Sequence, residues 1–257
     1  MPDNHDPLFS ITEQSVLVAG GVGGLGWPIA QELCRRGARV AIADIDEAKT
    51  LDYAQSLVDR GGRALGIALD IVASASCEAA VQQVIQKWGR IDGVVNASGI
   101  YRVGPALELA DIDWERSIDI NLTGVFRLAR AAGGPMIRQN RGSIITITSV
   151  SSSVANRHYA AYAASKAGAA HVTRVLATEW AASGVRVNAL GPAVTPTPLA
   201  TQIFDDPIIR DAALAKIPMS RFGTPEDLLA AIIFLLAPGS RFVTGQILYV
   251  DGGRTIS

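Results

Sequence analysis

The stretch Ser15-Val16-Leu17-Val18-Ala19-Gly20-Gly21-Val22-Gly23-Gly24-Leu25-Gly26 decides how this chain is read. A short apolar run ends in glycines, and residues 26–36 then place apolar side chains at helical spacing. The pattern is strand, tight turn, helix. Glycine lets a backbone turn sharply and approach a pyrophosphate with no Cβ in the way. The helix that follows points free N–H groups and its positive dipole end at the same spot. Two registers fit: Gly21, Gly23 and Gly26 spell GxGxxG, while Gly20, Gly24 and Gly26 spell GxxxGxG. The candidate phosphate-contacting residues are Gly20, Gly23, Gly24, Leu25 and Gly26.

Outward from this turn the same alternation continues. Arg39–Asp44 is a second β-branched run, followed by helical spacing over residues 47–60. Strand-like runs recur at residues 63–70, 91–96, 143–149, 185–190 and 246–250, with amphipathic stretches between most of them. Near-continuous apolar strands separated by helices predict a parallel sheet covered on both faces. The expected fold is therefore α/β, a single-domain Rossmann-type doubly wound sheet of about seven strands. A (β/α)8 barrel is the rival, but it requires neither the glycine turn nor an acid after the second strand. That acid is Asp44. A carboxylate there accepts hydrogen bonds from both adenosine ribose hydroxyls and repels a 2′-phosphate. Gly23, in the turn, offers no cation to offset that repulsion, so NAD is favoured over NADP.

The 257 residues carry a formal charge of -1 and are 49% hydrophobic, which fits one domain with a large core and argues against nucleic acid or a membrane surface as partner. Cys34 and Cys77 lack metal-ligand spacing, and three histidines form no cluster, so no metal site is expected. No signal peptide or transmembrane stretch is read, and a cytoplasmic setting is expected. Residues 1–12 read as a loose arm and 13–257 as the domain. Residues 191–225 hold Pro192, Pro196, Pro198, Pro207 and Pro218 and cannot form one regular helix. This segment directly follows a strand end, so it is read as a substrate lid over about residues 192–222.

From residue 15 to 253 the chain resembles the short-chain dehydrogenase/reductase family. The family's TGxxxGxG is similar to Ala19-Gly20 with Gly24 and Gly26, and its NNAG to Asn96-Ala97-Ser98-Gly99. Its YxxxK matches Tyr162-Ala163-Ala164-Ser165-Lys166, with Ser149 upstream at a strand end and Asn121 in the helical region before that strand. The resemblance implies a catalytic set of Asn121, Ser149, Tyr162 and Lys166. It also assigns Asp70 and Ile71 to the adenine, although Asp70 reads equally as a helix cap. Asn96 and Ser98 join the cofactor residues. Val187-Asn188-Ala189-Leu190-Gly191-Pro192-Ala193 resembles the family's VNxxxPG, with glycine displaced to position 191. Pro192, Thr195 and Thr197 then fall at the nicotinamide. The family also implies a homotetramer.

The residues themselves permit alcohol–ketone chemistry. Tyr162 and Lys166 lie four apart, on one helix face. Tyrosine is a poor base at its ordinary pKa of ~10, and a nearby ammonium lowers that value. Tyr162 is read as general base in oxidation and general acid in reduction, and the resemblance implies that it and Lys166 also contact the cofactor. Ser149 is read as the partner of the substrate oxygen, and Asn121 as the holder of a water linking Lys166 to solvent. His158, with Ser149 and Tyr162, is a candidate substrate contact. Wall segments at residues 101–103, 151–159 and 192–217 mix polar and apolar residues. A polyol, sugar or hydroxy ketone is the expected substrate, with a hydrophobic or cyclic alcohol or ketone as the alternative. A non-catalytic NAD-binding regulator is the rival of another class.

Overall fold

The computed structural model describes residues 6–257. Of the expected arm, residues 1–5 lie outside the described residues; Pro7–Phe9 form a 3-10 turn, Phe9 packs on Phe234, and Ile11 is buried in the core. Seven strands form one parallel sheet: β1 (Ser15–Ala19), β2 (Arg39–Asp44), β3 (Arg63–Ala68), β4 (Gly93–Asn96), β5 (Gly142–Ile147), β6 (Val185–Pro192) and β7 (Ile247–Val250). Their order is β3-β2-β1-β4-β5-β6-β7, every pair parallel.

Helices cover both faces, and strand alternation decides which residues meet which helices. Val16, Val18, Val40, Ile42, Val95 and Ile145 point to one core. There they meet α1 (Gly26–Arg35), α2 (Glu47–Val58) and α9 (Pro225–Leu236). Leu17, Ala41, Val94 and Ile144 point the other way, onto α3 (Ser74–Trp88), α5 (Gly124–Arg138) and α6 (Ala160–Trp180). With both faces covered, β1, β4 and β5 are buried at every position, which explains their unbroken apolar runs. Helix α4 (Asp111–Ile118) passes into α5 through a π-helical turn, Asp119–Thr123.

Strand order reverses between β1 and β4, whose ends meet with Ala19 opposite Asn96. Open α/β sheets bind ligands at such a switch point, beyond the carboxyl ends of the strands. Asp44, Asn96, Ile147 and Pro192 end their strands on that same edge. The proline-rich segment leaves β6 there as a 3-10 turn (Pro198–Ala200) and two short helices, α7 (Thr201–Phe204) and α8 (Pro207–Leu214). Its base is tied by Gly223 N donating to Val194 O.

Candidate active site

The glycine turn resolves the two registers. A Cβ on Gly26 would sit 2.0 Å from Gly20 O, and one on Gly20 would sit 2.6 Å from Ser98 N. Gly20 also has φ +70°, which L side chains rarely adopt. At Gly23 the nearest atom is 3.1 Å away, while Gly21 and Gly24 would each meet a neighbour at 2.8 Å, so the turn favours Gly20, Gly24 and Gly26 through the strain at Gly20 and the looser Gly23. Helix α1 has Leu25 at its N-cap with no side-chain capping bond, leaving its N-terminal dipole to an outside partner. Asn96 Oδ1 accepts from Ser98 N at 3.0 Å, while its buried Nδ2 has no partner among the described residues. An uncapped helix end, a turn stripped of Cβ atoms and an orphaned donor beside it fit a bound dinucleotide.

Asp44 ends β2 facing this turn. Its Oδ1 accepts from Ile45 N at 2.8 Å, and Oδ2 accepts from Val22 N at 3.4 Å. Nearby Lys49 is paired with Asp46 at 3.0 Å. Asp70 Oδ1 accepts from Val72 N, closing the turn before α3; the cap position of α3 is Ala73, so Asp70 does not cap the helix directly. Ile71 is buried against Gly124.

At the other end of the strand edge lies a cavity of about 610 Å³ lined by Ser149, Tyr162, Lys166 and His158, with Pro192, Thr195 and Thr197 at its lid side. Helix α6 is rich in alanine and packs closely beneath it. Tyr162 and Lys166 are both buried, one turn apart. Lys166 Nζ donates to Ile147 O at 3.0 Å and lies 5.8 Å from the Tyr162 ring centre. Burial pushes the Tyr162 phenol up to about 12, against the pull of a hydrogen bond from Ser149. Burial pushes the Lys166 ammonium down to about 8. Burial is thus the largest influence on the phenol in this structure, and Ser149 pulls the other way. The Lys166 ammonium is directed at the Ile147 carbonyl.

Ser149 Oγ accepts from Ser151 N at 3.1 Å, which leaves its proton free to donate toward Tyr162 or a substrate oxygen. Asn121 sits in the π-helical turn. Its Oδ1 accepts from Ile100 N at 2.8 Å, and its Nδ2 donates to Ile100 O at 2.9 Å and to Ser165 Oγ at 3.1 Å. A Cβ on Gly99 would lie 3.1 Å from Asn121 Oδ1 and 3.4 Å from Lys166 Nζ, so both atoms border one small space.

Two aromatic neighbours complete the pocket. Tyr101 and Tyr159 join hydroxyl to hydroxyl, and the Tyr101 ring meets Tyr162 edge-on with centres 5.0 Å apart. Both fall in the wall segments read from sequence, but no local signal announces their contact. Arg254, beyond β7, also lines the cavity and was not expected there. The displaced glycine has a packing reason: a Cβ on Gly191 would strike the Tyr249 ring at 2.4 Å. Strand β6 continues through Pro192 opposite Val250, and Thr197 packs on Gly24, so the start of the proline-rich segment touches the glycine turn.

No group of three or more histidine, cysteine, aspartate or glutamate residues among the described residues is arranged to hold a metal, and no helix among them is long and apolar enough to cross a membrane.

A glycine turn for a dinucleotide and a buried tyrosine–lysine pair at one strand edge define a nicotinamide-dependent oxidoreductase. A family model described as Enoyl-(Acyl carrier protein) reductase matches residues 20–255. A D-threitol dehydrogenase of Mycolicibacterium smegmatis is 38% identical over 249 residues, covering 96% of this chain and 95% of its own length. A cis-4-hydroxycyclohexanecarboxylate dehydrogenase of Sinomonas cyclohexanicum is 36% identical over 247 residues, covering 96% and 98%. The crystal structure of a gluconate 5-dehydrogenase from Burkholderia cenocepacia, in complex with NADP and tartrate, has a TM-score of 0.95 at 34% identity and 98% coverage of both chains. The chain belongs to the short-chain dehydrogenase/reductase family and is an oxidoreductase of the CH–OH group.

Proposed function

We propose that this protein interconverts a small polyhydroxylated secondary alcohol and its ketone with NAD(H), Tyr162 handling the proton. The observation that carries this reading is the placement of Tyr162 and Ser149 together on the wall of a cavity that reaches the lid base over the glycine turn. When bound, the nicotinamide accepts or supplies two electrons with one hydrogen at the carbinol carbon. In oxidation the hydroxyl proton passes to Tyr162; in reduction Tyr162 returns it to the carbonyl oxygen. Ser149 donates to that oxygen and holds it against Tyr162. Lys166, buried and aimed along the same face, supports the charge and the ribose. Asn121 Oδ1 and Lys166 Nζ border one space, and a water held there would let Tyr162 exchange its proton with solvent by way of Lys166.

Asp44 supports NAD over NADP, since its carboxylate faces the turn and the nearest lysine is already paired. The gluconate 5-dehydrogenase neighbour was crystallised with NADP, so cofactor choice is a direct test. Asp70, Ile71, Asn96, Ser98, Pro192, Thr195 and Thr197 are assigned to cofactor contacts, and His158 to the substrate. Asn156 and His158 in the wall, and the D-threitol dehydrogenase relative, support a polyol, sugar or hydroxy ketone. The apolar lid residues Ile203, Ile208 and Ile209 favour a second reading, a hydrophobic or cyclic alcohol. A homotetramer in the cytoplasm is the proposed working form; Trp114 on α4 and Phe126 on α5 are exposed apolar groups available to such contacts.

The test is absorbance of reduced nicotinamide with NAD or NADP and a panel of polyols, sugars and cyclic alcohols, with Tyr162→Phe in parallel. Turnover with NAD that falls by about 10²–10⁴-fold in the variant is expected. NAD binding without turnover across the panel would move the reading to the non-catalytic regulator.

A further inference from the structure

The residues lining the cavity include Arg157, Lys166, Lys216 and Arg254, and not one aspartate or glutamate. Lys166 belongs to the catalytic set. The other three come from separate elements: the loop after β5, the lid, and the segment after β7. These elements meet. Arg254 donates to Asn156 Oδ1 at 3.4 Å, and Ser257 Oγ donates to the carbonyls of Lys216 and Arg254. None of the three cations has an ion pair among the described residues. The nearest acid in sequence to Arg254 is Asp251. Its carboxylate is occupied by Gly253 N, Thr255 N and Thr255 Oγ1, at 3.0, 2.8 and 2.7 Å.

A partly buried arginine with its charge uncompensated, in a cavity without acids, is built for an anion. The cofactor pyrophosphate does not explain it, because that group is served by the glycine turn and the α1 N-terminus. The cations instead stand beside the segment that carries His158 and Tyr159, on the substrate side. Resting on the oxidoreductase reading above, we infer that the substrate is a hydroxy acid whose carboxylate is held by Arg254. Its reacting hydroxyl lies at Tyr162, and Arg157 and Lys216, both exposed, draw the anion in. Arg254 is then the residue that separates an acid from the polyol of the same carbon skeleton.

Matched pairs test this: D-threonate beside D-threitol, and D-gluconate beside D-glucitol, each with NAD. The wild type should prefer the acid of at least one pair. Arg254→Gln should lower kcat/KM for that acid by about 10–100-fold, mainly through KM. The loss should exceed the loss on the matching polyol by at least tenfold, and Arg254→Lys should recover part of it. A wild type that prefers both polyols, or a variant that loses equally on acid and polyol, overturns the inference. Calorimetric titration of D-gluconate and D-threonate into the NAD-saturated protein separates this failure from that of the parent reading. Carboxylate binding that weakens in Arg254→Gln supports the anion site even if no substrate turns over. Absence of carboxylate binding to the wild type overturns it even if polyols are oxidised.

Discussion

Asn121 Nδ2 donates to Ser165 Oγ at 3.1 Å, fastening the π-helical turn to α6 one residue before Lys166. Ser165 in turn donates to Tyr162 O at 2.8 Å. The same asparagine holds both backbone groups of Ile100. It therefore joins the loop after β4, the π-helical turn and α6. Replacing Asn121 with Ala strips the partly buried N–H and C=O of Ile100 of this partner, at about 1–3 kcal/mol each, and takes one bond from Ser165 Oγ, which keeps Tyr162 O. Ser165→Ala removes both bonds of its hydroxyl but leaves Asn121 Nδ2 its bond to Ile100 O, and should cost about 1–2 kcal/mol. Chemical denaturation should rank the two variants in that order, and kcat should fall far more in Asn121→Ala. Equal stability of Asn121→Ala and wild type would remove its proposed bridging role.

Asp44 governs the choice of dinucleotide in this reading. The wild type should use NAD at least about 100-fold better than NADP, the scale of one strongly opposed charge. In Asp44→Ala that ratio should contract by tenfold or more, chiefly through weaker use of NAD and relief of repulsion toward the 2′-phosphate. Initial rates with both cofactors measure it. An unchanged ratio would show that discrimination resides elsewhere.

The layered fold was legible because strand period and helix period alternate cleanly, and because the glycine turn sits between the first pair. What was not legible depends on contacts distant in sequence. The glycine registers differ at Gly20, where a Cβ would meet Ser98 N at 2.6 Å, and at the looser Gly23, relations that no spacing rule contains. Strand β6 was read as ending at Leu190, yet it continues to Pro192, which a strand tolerates at its end and which pairs with Val250. The π-helical turn at Asn121 has no compositional marker. Spacing and the resemblance picked out Tyr162, Lys166 and Ser149, which line one cavity, but the weight of burial on the phenol was not legible, because burial is a property of the whole pocket. Arg254 gives no local signal; only the convergence of the C-terminal segment with the loop after β5 brings it to the cavity.

Gly26 and Gly104 make a controlled comparison. An alanine Cβ at Gly26 would lie 2.0 Å from the Gly20 carbonyl oxygen, whereas at Gly104 nothing lies within 4 Å. Overpacking costs about 1–3 kcal/mol when side chains can yield, and here backbone meets backbone. Gly26→Ala should therefore lose at least that much stability and most of its NAD affinity. Gly104→Ala should stay within about 0.5 kcal/mol of wild type. Denaturant titration and calorimetry with NAD provide the two readings, and wild-type NAD binding by Gly26→Ala would contradict the role of the turn.

The opposed shifts of Tyr162 and Lys166 set an asymmetric pH dependence. Below about 8 the Lys166 ammonium is charged, and up to about 12 the Tyr162 phenol keeps its proton. Reduction of a ketone needs both states, so kcat/KM for reduction should be level at neutral pH and fall as pH rises through about 8. Oxidation needs Tyr162 to accept a proton and should instead gain with rising pH until Lys166 loses its charge. Lys166→Arg places a guanidinium, with a pKa above ~12, in the same position. Its residual reductive activity, however small, should lack the limb near 8. A limb that persists unchanged in Lys166→Arg would assign that ionisation to another group and dissolve the proposed coupling between lysine charge and proton transfer.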